Sequence, residues 1–169
     1  MKVPPAIRFL ILFVSVYLVL NILYGLWVEA WNPQADPATG WVGAQTAWCL
    51  NQIGYEVSLQ PLADRPLIAF MSAGAVVINL FEGCNGINVM IVFVSFLFAY
   101  GGRLQRLIPF TLAGLLMIHA LNLARVGLLF WLAETESAWF YYFHKYLFTG
   151  FLFAFVFLGW WIWIKWGHE

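Results

Sequence analysis

A thiol at Cys84, a guanidinium at Arg125 and an imidazole at His144 are the groups of this chain best equipped for chemistry, and each stands at the margin of a long apolar run. Together they suit acyl transfer through sulfur. A thiolate attacks a carbonyl, a permanently charged arginine holds the oxyanion that forms, and a histidine titrating near neutrality gives a proton to the departing amine. Gly83, Asn85 and Gly86 flank the cysteine. They favour a tight turn, and Gly86 leaves room for a substrate backbone beside the sulfur. A cysteine that opens a helix gains acidity from the unsatisfied N–H groups there, so the sequence predicts a thiol more acidic than usual. His119, Asn122 and Arg125 follow one another at i, i+3 and i+6 as a polar ridge. Asn122 and Asn88 are candidates to orient the reacting groups, and Asn85 to donate within the pocket. Helical spacing places Cys84, Asn88, Ser95 and Ala99 on one stripe that should face the bundle interior.

Each residue also has a plainer reading. Arg125 can anchor a helix end by reaching to the membrane surface. His144 lies among Trp139, Phe140, Tyr141, Tyr142, Phe143 and Tyr146, an aromatic belt of the kind that collects at interfaces. What favours chemistry is that all three fall at one level once the chain is threaded through a membrane. His119 is deeper and reads as a buried hydrogen-bonding group, His168 as a tail residue and Cys49 as packing. Cys84, His144 and Glu82 are three groups of the kind zinc takes, but Arg125 beside a dication disfavours that set, so no metal and no cofactor is expected.

The elements that must carry these residues follow from composition. Hydrophobic residues make up 63% of 169 and charged residues 9%, with a mean hydropathy of +0.83, far above a soluble domain. An integral membrane protein is implied. Zero formal net charge gives no electrostatic case for nucleic acid. The expected fold is an all-α polytopic bundle of four transmembrane helices, at 6–28, 84–101, 107–125 and 143–165, forming one membrane domain. The first reads as a retained signal anchor. Residues 29–83 read as an extracytoplasmic insertion, with an amphipathic helix at 44–57 lying on the membrane surface and a short strand or hairpin at 67–81, paired with 56–60. A fifth span at 67–81 is the alternative, and it would move Cys84 to the other side of the membrane. Lys2, Arg8, Arg103, Arg106 and Lys165 all fit one side, the cytoplasm, by the positive-inside rule. Both termini are then cytoplasmic, and Cys84, Arg125 and His144 meet at the outer rim.

The strings Glu82-Gly83-Cys84-Asn85-Gly86-Ile87 and Asn122-Leu123-Ala124-Arg125-Val126, and His144 followed six residues later by Gly150, resemble the three signatures of the exosortase/archaeosortase family. In order and length the chain is similar to the short exosortases of Bacteroidetes-like bacteria. The resemblance implies a polytopic cysteine transpeptidase of the bacterial inner membrane with its active site facing the periplasm. It implies a membrane-anchored protein substrate whose C-terminal sorting signal is a short motif, an apolar helix and a basic cluster. It assigns Cys84 as nucleophile, with Arg125 and His144 as the other site residues. Many relatives have serine where this chain has Asn85, and larger members have more helices, so a companion membrane protein stays open for this short form. A noncatalytic membrane scaffold or transport subunit is the reading from a different class, and a simple intramembrane protease differs only in the acceptor.

Overall fold

The computed structural model describes residues 4–137, 139–143 and 148–167, so His144 lies outside the described residues. Helix α1, Pro5–Glu29, begins with proline in its first turn, where the missing N–H has no partner to lose. An extramembrane unit follows: α2 (Pro37–Gln52) and the strands β1 (Ser58–Pro61), β2 (Ile68–Ser72) and β3 (Ala75–Leu80). A 3-10 turn at Glu82–Cys84 leads to α3 (Ile87–Tyr100), α4 (Leu104–Glu134), the helical turn α5 (Phe140–Tyr142) and α6 (Phe148–Trp166).

Helices thus occupy all four expected apolar runs. α1 and α4 are long and apolar enough to cross a membrane, whereas Ile87–Tyr100 and Gly150–Trp166 are shorter. The third helix starts at Ile87 rather than at residue 84 because Gly86, its N-cap, takes a left-handed φ of 84° that ends the preceding turn. α4 runs on to Glu134, well past the expected end at 125, and Arg125 therefore lies within a helix.

The expected strand pairing appears. The sheet has three strands in the order β1-β2-β3, with β2 antiparallel to both neighbours, so 67–81 is a hairpin and not a fifth span. Its turn, Ala73-Gly74, has φ values of 48° and 81°, the left-handed pair that matches strand twist in a two-residue hairpin. The expected helix at 44–57 is displaced. α2 starts at Pro37 because the Asp36 side chain accepts from Thr39 N–H at 3.0 Å, a cap with proline right behind it. Val57 lies beyond the helix end and is buried. The inward face of α2 is Thr39, Val42, Gly43, Thr46, Ala47 and Leu50, a mostly small face that lets it sit close to α4 and the sheet. Trp41 and Trp48 point outward at 62% and 63% exposure. Cys49, expected in packing, is exposed, and neither cysteine is in a disulfide.

The helix ends sort into two groups. Phe9 of α1 packs against Phe96 and Tyr100 of α3, with ring centroids 5.5 and 6.4 Å apart. Trp163 of α6 donates its indole N–H to the Gly101 carbonyl at 3.0 Å, and Arg106 donates to the Trp166 carbonyl at 3.3 Å. Arg8, Arg103, Arg106 and Lys165 therefore gather at one end of the bundle. The sheet and the turn bearing Cys84 belong to the other end, where Ser72 donates to Glu134 at 2.7 Å. Between them Phe93 of α3 is driven against Gly114 of α4 and Gly159 of α6, where an added Cβ would come within 2.3 and 3.0 Å of its ring. Small residues at those points let three helices approach.

Candidate active site

Cys84 sits at the end of the 3-10 turn, its backbone N–H donating to the Phe81 carbonyl at 2.8 Å. The turn is fixed from both sides. Asn122 of α4 donates from Nδ2 to the Cys84 carbonyl at 2.8 Å and presses against Gly86, where an added Cβ would lie 3.1 Å from its side chain. With φ at 84°, that position is closed to ordinary side chains twice over.

On the other side Asn85 is 1% exposed and fully engaged. Its Nδ2 donates to the Tyr24 hydroxyl of α1 at 2.7 Å and to Thr39 Oγ1 of α2 at 3.2 Å, while its Oδ1 accepts from Ile87 N–H at 3.0 Å. Thr39 passes the chain on, its hydroxyl donating to Asp36 Oδ2 at 2.5 Å. A buried amide with every group satisfied rigidifies what it touches, so this network locks the cysteine turn to α1, α2 and α3 together.

Arg125 lies one helical turn beyond Asn122 and close enough to Cys84 to favour its thiolate. The expected acidity is nonetheless not found. The thiol is 7% exposed, and burial pushes it above its usual range, with Arg125 pulling the other way and Glu82 adding to the rise. The helix-terminus argument fails because Cys84 stands ahead of the capping residue rather than at it. Arg125 Nε is buried without a hydrogen-bond partner, and no carboxylate forms an ion pair with it among the described residues. Arg125 as a whole is half-buried, which is compatible with the anchoring reading as well. A buried N–H donor left unpaired is costly, and here it belongs to a residue that is otherwise only half-buried. Asn122 Oδ1 is likewise buried without a partner.

The sulfur-bearing residue lines a cleft of about 210 Å³ with Val77, Ile78, Asn79 and Leu80 of β3, Val126 and Leu129 of α4, and Phe140. Of the candidate residues, Cys84, Asn85, Gly86, Asn122 and Arg125 come together, while Asn88 is exposed in the first turn of α3 and joins no hydrogen bond to the cluster among the described residues. The expected stripe breaks there, although Ser95 is buried and donates to the Ile91 carbonyl at 2.6 Å. His119 is half-buried, hydrogen-bonded to Gln45 Oε1 at 2.6 Å and stacked on Trp41. Tyr24, Thr39 and Asp36 were not foreseen as partners of the site. Only the Asp36-Pro37 cap signature pointed toward any of them. Among the described residues no group of three His, Cys, Asp or Glu could hold a metal ion.

Apolar helices thus carry a buried cysteine that lines a small cleft, with Arg125 close to it. The family model described as transmembrane exosortase (EpsH) matches residues 5–163, and the chain belongs to that family. Exosortases are membrane transpeptidases, and a membrane location follows. No curated protein and no solved structure matches the chain.

Proposed function

We propose that this chain is a cysteine transpeptidase of the bacterial inner membrane that cleaves the C-terminal sorting tails of exported proteins and passes the freed acyl group to an acceptor. The observation that carries the reading is the buried Cys84 lining a cleft, with a half-buried Arg125, its Nε buried and unpaired among the described residues, near enough to favour the thiolate. Cys84 Sγ, its proton passing to His144, attacks the carbonyl carbon of the scissile peptide, and Arg125 holds the oxyanion. Collapse breaks the C–N bond and leaves a thioester, with His144 giving the leaving amine its proton. An acceptor amine, hydroxyl or water then attacks the thioester and releases the thiol. The resemblance names Arg125 and His144 as site residues, while their roles follow from guanidinium and imidazole chemistry; it also suggests the short Bacteroidetes type and leaves a companion membrane protein open.

The distribution of charge supports a periplasmic site with both termini in the cytoplasm. Arg8, Arg103, Arg106 and Lys165 share the end opposite Cys84, and positive residues stay inside. An anchored substrate presents its bond at fixed depth, so a site at that depth gains effective concentration.

The test is processing of a tail-bearing precursor from the same genome. Cys84→Ala and Cys84→Ser both leave it uncleaved while the protein still inserts, and normal cleavage by either removes the nucleophile assignment. Neutral hydroxylamine should release the trapped acyl group, and an adduct that resists it is no thioester. A noncatalytic scaffold or transport subunit would leave precursor processing independent of Cys84 altogether.

A further inference from the structure

The wall of the cleft opposite α4 has an unusual composition. Val77, Ile78, Asn79 and Leu80 are consecutive in β3, and all of them line it. Successive side chains of a strand point to opposite faces, so a cleft over one face would meet every second residue. One that meets consecutive residues runs along the strand's edge. That edge is the outer one, because β3 is last in the order β1-β2-β3 and β2 occupies its other side. Among the described residues, no backbone hydrogen bond leaves residues 75–80 except to β2.

Free edges of this kind are normally blunted by lysine, proline or a covering element. Here Val76 is exposed, a bulge leaves Val77 without a partner on β2, the regular stretch Ile78–Leu80 follows it with neither lysine nor proline, and Cys84 lines the same cleft. We propose that the outer edge of β3 is the docking strand for the substrate, whose residues next to the scissile bond add to the sheet as a further strand and so deliver the carbonyl to Cys84 Sγ. This rests on the transpeptidase reading above and adds how the substrate is held.

The physical case has two parts. A scissile peptide in an apolar cleft carries N–H and C=O groups that are expensive to bury unpaired, and the β3 backbone supplies their partners. Main-chain pairing then gives affinity with little demand on sequence, while side-chain positions alternate between the two faces and set specificity. At about 3.3 Å per residue the lining stretch of β3 accommodates about four substrate residues. Asn79 is the polar side chain in that stretch, exposed and without a hydrogen bond among the described residues. It is the position to read a polar side chain of the sorting motif.

Cross-linking tests this. In a Cys49→Ser, Cys84→Ala background, which cannot acylate, Val77→Cys or Asn79→Cys is oxidised in membranes against a tail-bearing precursor from the same genome carrying single cysteines stepped through the residues before its apolar helix. Disulfides should form at every second precursor position. Amides of residues 75–80 should also exchange hydrogen at least about tenfold more slowly in the complex. Cross-links spaced by three and four residues, uniform cross-linking, or none at all would overturn strand addition, provided the wild-type enzyme cleaves the same precursors. If the wild-type enzyme cleaves none of them, the transpeptidase reading itself falls, and docking falls with it.

Discussion

Where α6 meets the α3–α4 turn, Phe96 stacks on Trp160 at 4.2 Å and Phe110 lies 5.0 Å from Trp163. At the Cys84 end the turn is held instead by hydrogen bonds from Asn85 and Asn122, which tie it to α1, α2 and α4. The aromatic end has the roomier cleft, about 880 Å³ lined by Arg8, Phe9, Phe96 and Tyr100 among others, yet it contains no cysteine or histidine. Size therefore does not find the chemistry here. Apolar packing tolerates exchange of shape for similar shape, whereas Asn85, a buried amide with every group paired, fixes its neighbours to one arrangement. A nucleophile benefits from the second kind of support.

Substitutions at the two ends should separate these roles. The largest effect on stability is expected from Phe93→Ala, which empties the space between Gly114 and Gly159 and should cost about 3–5 kcal/mol in detergent unfolding. Cys84 labelling by a thiol reagent should be unchanged in the fraction that remains folded, and a changed rate would mean the two ends are coupled.

Arg125→Gln comes next, with cleavage falling about a hundredfold to a thousandfold, as when one oxyanion donor is lost. The pH profile of Cys84 labelling should move with it. Burial already raises the thiol and Arg125 opposes that rise, so removing the charge shifts the profile to higher pH. A profile that stays put, or moves down, would separate the guanidinium from the sulfur.

Asn85→Ala should cost about 1–3 kcal/mol, because Thr39 and Tyr24 each lose a buried partner. Labelling of Cys84 should accelerate as its turn loosens, in contrast to the unchanged rate expected for Phe93→Ala. Smallest is Ser95→Ala. Its hydroxyl donates only to the Ile91 carbonyl of its own helix, so a change within about 0.5 kcal/mol is expected, and a larger one would reveal a role for the polar stripe along α3.

What could be read from the residues alone follows the same division. The hairpin was visible because Val76, Val77 and Ile78 are β-branched and Gly74 marks the turn. The apolar helices were visible from run length, but their ends were not. Arg125 looked like a terminus because a charge normally closes an apolar run, yet α4 continues through Val126, Leu129, Phe130 and Leu132, which are buried against other elements. The start of α2 is written in Asp36-Pro37, a capping residue followed by a proline that fits the first helical turn. The partners of Asn85 left no trace in sequence, since Thr39 and Tyr24 are 46 and 61 residues away and a hydrogen bond across such a distance has no periodicity.

A straight α4 is roughly 46 Å from end to end at the rise of an α-helix, against about 30 Å of hydrocarbon. It must either lean or stand clear of the lipid like a mast, and the platform that carries β3 is lashed to its top through Ser72 and Glu134. On the proposed reading, with α4 across the bilayer and Cys84 at its outer rim, the height of the sulfur is set by acyl-chain length as much as by the protein. Reconstitution in thin and thick lipids should slide the preferred cut along the anchored precursor, making lipid composition a selector of which bond is broken.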